Sequence, residues 1–412
     1  MTGEPDTTLD RRTPSWFSPG VAGIGAASLL ADVGHEVPTA LLPSLLTSTL
    51  GAPASALGLI EGVSDGLAGL ARFGGGALSD DPARRHAIAV GGYTTTAVLS
   101  SATGAANAVW QVGVLRAGAW AARGLRVPAR NALLADIVDQ AVYGRAYGFE
   151  RAMDNLGAIG GPLLAIALVA LVGTRGAIGL SVIPGLLAAV AIVYAIRHTE
   201  APKARERVRI RFQIRPVLQG RLKSLFAGIS AFEFGNCAAT LLILRATELL
   251  EPGRSHTTAA TTALWLYVGY NAAATITSVP AGRHADRTTP RRTLAVGVMA
   301  FGLAYAGLTR DTHGWLALTP WFILAGIGIG CVETAEHAAV AAYAPADIRG
   351  SAFGLLAAVQ SFGNLAASGI AGLLWTLASP SWAFTYLTGW MLLAAIILSR
   401  LPRRPKPVPR YG

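Results

Sequence analysis

Two groups of acids and histidine stand inside apolar stretches of this chain. Asp32, His35 and Glu36 lie near its start, and Glu333, Glu336 and His337 near its end. At about 100° per residue, each group occupies one face of a helix. Arg116, Arg123, Arg126 and Arg130 recur at steps of seven, three and four, which holds them within an arc of about 80°. Glu61 and Asp65 share another face, Glu150, Arg151 and Asp154 form a further cluster, and Glu233 stands in a later apolar run. Few chemistries suit such groups. A carboxyl can take up and release a proton once it is drawn out of water. A guanidinium fork holds carboxylates, from the chain or from an anion. Imidazole with carboxylate suits a divalent transition metal, for which the two acid–histidine groups are candidates. A charge at the bilayer centre costs about 2.5–3.5 kcal/mol on insertion scales, so these residues need partners or mark a pathway.

The elements that position them are apolar helices. Of 412 residues, 52% are hydrophobic and 14% charged, with a mean hydropathy of +0.46. A soluble domain carries about 25% charged residues. A bilayer core is crossed by about 20 apolar residues, and such runs recur from Val21 onward. The pattern predicts spans at Pro19–Ser48, Pro53–Leu78, His86–Ala105, Val109–Ile137, Tyr143–Val172 and Ala177–Ile196. A second set is predicted at Leu222–Ala246, Thr257–Gly282, Thr293–Leu308, Gly314–Ala344, Gly350–Leu377 and Trp382–Leu401. The fold class expected is an all-α membrane protein of 12 transmembrane helices in two six-helix bundles. Residues 1–196 would form the first bundle, 197–221 a cytoplasmic basic linker, 222–401 the second bundle and 402–412 a cytoplasmic tail. The linker is also a candidate amphipathic helix on an anionic leaflet.

The net charge of +11 does not imply nucleic acid, because of where it sits. By span count, 24 of the 34 Lys and Arg fall on the face that holds the termini, and only Arg175, Arg254 and Arg310 on the other. Basic loops stay cytoplasmic, so both termini are expected there. Cys237 and Cys331 sit far apart in apolar runs, which offers no disulfide framework or zinc spacing. The polar N-terminus shows no removable signal peptide. No lysine follows a glycine in a phosphate-binding loop, and no nucleophile–base pattern appears, so neither an enzyme nor a nucleotide-driven pump is expected.

The halves repeat. Gly76 and Asp80 match Gly282 and Asp286, and Gly144, Gly148, Ala152 and Gly157 match Gly350, Gly354, Ala358 and Gly363, all at an offset of 206. A six-helix unit repeated in parallel places a solute site between two bundles near the midplane, with access alternating as they rock. Glycine after the second span permits close helix approach. Asp80 there favours a neighbouring helix N-terminus, and Arg84 is positioned to pair with Asp136.

That loop, Gly76-Ala-Leu78-Ser-Asp80-Asp-Pro-Ala-Arg84-Arg85, resembles the G-x-L-x-D-x-x-G-R-[KR] signature of the major facilitator superfamily, with Ala83 replacing a glycine. Gly282, Asp286 and Arg287 repeat it more weakly. The resemblance implies a cytoplasmic latch made of Gly76, Asp80, Arg84, Arg85, Asp136, Gly282, Asp286 and Arg287, closed when the carrier faces outward. It implies that the first, fourth, seventh and tenth spans line the cavity. Arg116 sits where the family's fourth-span arginine takes part in proton transfer. Gly157-Ala-Ile-Gly-Gly161-Pro162 resembles the fifth-span motif of its proton antiporters.

These readings converge on a secondary transporter: a proton-coupled exporter of a small organic compound such as a drug or toxic metabolite, in the cell inner membrane. The alternatives are an importer of an anionic metabolite held by the fourth-span arginines, and a divalent-metal exporter. Asp32, Glu36, Arg116 and Glu233 are the candidates for proton coupling. His35, Arg123, Arg126, Arg130, Glu333, Glu336 and His337 are the candidates for the substrate cavity. No cofactor and no resident metal is expected. The partners are a small molecule, a proton and the lipid bilayer, and the chain is expected to be a monomer.

Overall fold

A computed structural model describes residues 16–199 and 214–400. Most of the basic linker, residues 200–213, and the tail, 401–412, lie outside the described residues. The first half contains α1 (Pro19–Pro43), α2 (Ala54–Leu78), α3 (Pro82–Ala102), α4 (Val109–Ile137), α5 (Tyr143–Leu180) and α6 (Val182–Arg197). A short α7 (Ile214–Val217) precedes the second half. There follow α8 (Gly220–Glu233), α9 (Ala239–Leu250), α10 (His256–Arg287), α11 (Pro290–Leu308), α12 (Trp315–Tyr343), α13 (Arg349–Leu377) and α14 (Pro380–Ser399). Among the described residues there is no strand. The segments Gln140–Arg197, Trp315–Tyr343, Arg349–Leu377 and Pro380–Ser399 are the most apolar, with mean hydropathy up to 2.3. This is a multi-pass membrane protein.

Local chemistry sets the helix starts. Ser18 accepts a hydrogen bond from the Val21 amide before Pro19, and Asp81 does so from Ala83 before Pro82. Thr289–Pro290 and Ser379–Pro380 open α11 and α14 in the same way. A side-chain acceptor meets an orphan amide, and proline occupies a position whose N–H has no helical partner. The repeat reaches into the register: α4 and α12 begin at 109 and 315, and α5 and α13 at 143 and 349, each pair 206 apart. Alanine dominates the buried contacts. In lipid, where apolar burial between helices gains little, small residues allow the backbone packing that holds helices together.

Two spans depart from their predicted form. The seventh is not continuous: α8 stops at Glu233 and α9 starts at Ala239. The freed backbone groups find partners, since Ala238 N–H donates to Ser368 (2.8 Å) and the Asn236 carbonyl accepts from Asn364 (2.9 Å). Such a break is tolerated in a membrane only where neighbours satisfy it. The fifth keeps its expected end: Gly173, at φ +69° and ψ 175°, is not helical and breaks the run after Val172, and a second helical stretch leads on to Leu180. The first continues beyond Pro43 through a wide helical turn, Ser44–Thr49.

Candidate functional site

The halves meet at the end bearing the Asp80 and Asp286 loops, called here the basic face. Two contacts related by the repeat close it. On one side α2 crosses α13, and a Cβ on Gly76 would lie 2.7 Å from the Gly354 Cα. On the other α5 crosses α10, where Gly144 and Gly282 touch backbone to backbone. Only glycine fits such approaches. Each contact ends in a carboxylate at a helix N-terminus. Asp80 accepts from the Ser351 amide (2.8 Å) and from the Ser351 hydroxyl, at the start of α13. Asp286 accepts from the amides of Gly144 (2.6 Å) and Arg145 (3.1 Å) and from Arg145 Nε (2.8 Å), at the start of α5. Unpaired amides and the helix dipole favour an anion there. Burial nevertheless pushes the Asp80 carboxyl up to about 6, against the pull of the Ser351 hydrogen bonds and the charge of Arg85.

Arg85, rather than Arg84, reaches Asp136. Arg85 is 2% exposed and donates to Asp136 and to the Ser79 carbonyl, while Arg349 of the other half adds a 3.3 Å contact to the same carboxylate. Arg84 turns outward to Asp81, 3.2 Å away, because it stands one turn along α3 from that acid. Arg287 is exposed at the end of α10.

Behind this closure the charged faces come together. In the first half, Asp32 lies 3.2 Å from His35 and 3.4 Å from Arg123, and His35 Nε2 lies 3.1 Å from Glu36. Arg130 reaches Glu150 at 2.9 Å and Asp154 at 3.6 Å, and Arg151 holds the same two acids at 2.7 and 3.1 Å. Arg116 is paired with Glu61 (2.9 Å), donates to the Thr39 hydroxyl (3.0 Å) and stacks on Trp120. Arg126 departs from the expected pairing. Among the described residues it has no carboxylate partner; it lies 4.1 Å over the Tyr93 ring and faces a small cavity shared with His35, Tyr93 and Ser100. The glycines of the fifth span act here: Gly157 packs on Asp32, whose Cβ would lie 2.8 Å from a Cβ at that position, and Gly161 packs on Glu36. Pro162 sits within α5 one residue further on.

The second half contributes Glu233 from the end of α8, and Glu333, Glu336 and His337 from α12. Glu336 is 0% exposed. One of its oxygens accepts from Gln360 of α13, while the other, Oε2, has no partner. Glu233 accepts from Asn236 (3.1 Å) at the helix break, and Gly363 of α13 packs on it. His337 donates from Nδ1 to the Glu333 carbonyl (2.7 Å). The two acid–histidine groups do not merge. Among the described residues no set of three or more His, Cys, Asp or Glu is arranged to hold a metal ion.

The residues not foreseen are those that answer the charges: Ser28, which bridges Arg130 (2.8 Å) and Glu150 (2.6 Å), and Arg72, which donates across the halves to Ser361. Ser351 and Gln360 belong with them. Gln360 lies 206 residues after Asp154 and Ser351 follows the repeated Gly350, so the repeat itself pointed to both.

Two repeated helical bundles, shut at one end over a charged crevice, define a membrane carrier and not an enzyme. The Major Facilitator Superfamily model matches residues 24–247 and again 229–411, and the chain belongs to that superfamily. It is 27% identical over 378 residues to an uncharacterised MFS-type transporter of Methanocaldococcus jannaschii, covering 91% of this chain and 93% of that one. An uncharacterised protein of Mycobacterium tuberculosis is 31% identical over 188 residues, 45% of this chain and 46% of its own length. Among solved structures, a bacterial homologue of the iron transporter ferroportin in an outward-facing state superposes with a TM-score of 0.74 at 14% identity, covering 93% and 99% of the chains. The human organic anion transporter MFSD10 does so with a TM-score of 0.70 at 17% identity, covering 92% and 99%. These two likenesses are of fold.

Proposed function

We propose that the chain is a proton-coupled antiporter that exports a small organic compound, as a monomer in the cell inner membrane with both termini and the basic face in the cytoplasm. The observation that carries this reading is the seating of Gly157 and Gly161 directly on Asp32 and Glu36. It puts the antiporter-like stretch of α5 against the two acids of α1 that face the crevice. Glu36 and Asp154 keep 27% and 23% of their side-chain surface exposed, so water can reach this acid face while the basic face is closed. That is the geometry from which a carboxylate can load a proton from one side only. Uptake of an anion is less well supported, because Arg116, Arg123 and Arg130 already have carboxylate partners.

The test is transport in everted vesicles with an imposed pH gradient, preceded by a growth screen of a sensitised bacterium against antibiotics and metals. Protection by the wild-type chain and substrate-induced proton efflux are expected. Asp32→Asn and Glu36→Gln should each abolish gradient-driven accumulation at unchanged expression. Full activity in both variants would remove these acids from the mechanism, and sensitisation in place of protection would reverse the direction.

A further inference from the structure

Charge is distributed unequally between the two halves. Inside the spans of the first half, six carboxylates (Asp32, Glu36, Glu61, Asp65, Glu150, Asp154) face six arginines (Arg72, Arg116, Arg123, Arg126, Arg130, Arg151). In the second half, among the described residues, no arginine or lysine forms an ion pair with Glu233, Glu333 or Glu336. Arg245, buried within α9, is taken up by Asp311 (2.9 Å) and the Leu308 carbonyl (3.1 Å). The repeat sharpens the contrast. Arg130 and Asp154, an ion pair in the first half, correspond to Glu336 and Gln360 in the second. The cation has become a carboxylate and its partner a neutral amide, so the second pair carries a charge where the first carries none.

Glu336 Oε2 is buried without a partner. Gln360 and Gly363, neighbours one turn apart on α13, meet Glu336 and Glu233 in turn, and Glu233 stands at the carbonyl end of α8, where the helix dipole is negative. Tyr267 and Tyr270 of α10 stack at 5.4 Å, and α10 packs along α12, the Tyr270 carbonyl meeting Gly326 two turns before Glu333. Aromatic faces beside unpaired carboxylates recognise organic cations. The other charged or titratable groups that look onto these glutamates are few. Asp32, Glu150 and Asp154 are acids, His337 is spent on a backbone carbonyl, and Cys237 is held by Tyr305. Arg151 is already shared by Glu150 and Asp154.

We infer that Glu233, Glu333 and Glu336, with the stacked Tyr267 and Tyr270, form a binding site for an organic cation, at which cargo and protons compete. The inference rests on the transporter reading and names its substrate class. Binding exchanges one positive charge for another: cargo enters as a proton leaves a carboxyl, and no covalent bond changes.

The experiment uses the purified full chain in nanodiscs and radiolabelled tetraphenylphosphonium, a permanent cation with no ionisable proton. Equilibrium binding is measured from about pH 8 down to about pH 5, together with proton release in weakly buffered solution. Affinity should fall as pH falls, and binding should release protons. Glu336→Gln and Glu233→Gln should each weaken binding by about tenfold or more, as expected for loss of a buried charge partner. The proton-release measurement needs only the wild-type chain, so it decides the matter even if a variant misfolds. Absence of tetraphenylphosphonium binding, binding without proton release, or unchanged affinity in both folded variants would overturn the inference. A chain that exports an organic compound against a pH gradient yet fails here keeps its proposed function and loses this substrate class. A chain that passes here yet moves nothing in vesicles keeps the site and loses the export reading.

Discussion

The Asp80 contact yields a prediction whose sign differs from intuition. A carboxylate at a helix N-terminus suggests a latch that charge strengthens, but burial pushes Asp80 up to about 6 from the usual 3.8. The closed basic face therefore holds a proton more tightly than the open one, in which Asp80 meets water. Stability from this group is complete below about pH 4 and is lost as pH rises through about 6. Two pKa units correspond to about 3 kcal/mol, which screening at the loop reduces to about 1–2 kcal/mol. That is a change of about 5–30-fold in the ratio of closed to open forms. Asp80→Asn keeps an acceptor for the Ser351 amide and removes the charge, so at neutral pH it should favour the closed basic face. Asp80→Ala leaves the Ser351 amide and hydroxyl unanswered, at about 1–3 kcal/mol, and should favour the open one. Spin labels at the exposed Ala83 and Asp347, on opposite halves at this face, report the distance in double electron–electron resonance. Wild type should close on acidification across this window, while Asp80→Asn should already be closed at neutral pH. A wild-type chain that opens on acidification, or an Asn variant indistinguishable from it at neutral pH, would refute the reasoning.

Two further outcomes follow from packing and burial. Gly282→Val places a side chain against the Gly144 backbone, which cannot retreat unless α5 and α10 part; the same spin-label distance should lengthen at every pH. Arg130→Met strands Glu150, which is 1% exposed, with Arg151 as its remaining cation, and should cost up to about 3 kcal/mol. It should lower the thermal midpoint in detergent, and Glu150→Gln added to it should recover most of the loss.

What the sequence disclosed was whatever depends on spacing. Gly76, Gly144, Gly282 and Gly350 recur at one offset, and that offset brought the two gate contacts within reach before any coordinates. Arg116, Arg123 and Arg130 did face the acids of α1, α2 and α5, as their helical arc required. Choices between neighbours were not legible. Arg84 and Arg85 differ by 100° on α3, and only the docking of α4 shows which one meets Asp136. Arg126 shares the arginine arc but looks away from the crevice, onto Tyr93. The break after Glu233 left a weak trace, Gly235-Asn236 inside an apolar run, but hydropathy averages over such a pair. Its meaning depends on Ser368 and Asn364, more than a hundred residues away, which satisfy the backbone it frees.

The division of labour between the halves bears on direction. Glu233, Glu336, Asn236 and Gln360 all belong to the second half, so a rocking motion carries them together and leaves their hydrogen bonds intact. What rocking changes is what crosses between halves: Asp80 to Ser351, Asp286 to Gly144 and Arg145, Arg349 to Asp136, Arg72 to Ser361, and the approach of Arg151 to Glu333 and Glu336. With the basic face closed, Arg151 stands near those glutamates and opposes any second cation there. Opening that face draws α5 away from α10 and α12 and takes the guanidinium with it. A cation site with these components binds more strongly when open to the basic face and more weakly when closed to it. If the basic face is cytoplasmic, as the loop charges favour, that difference points outward, in the direction of the proposed export.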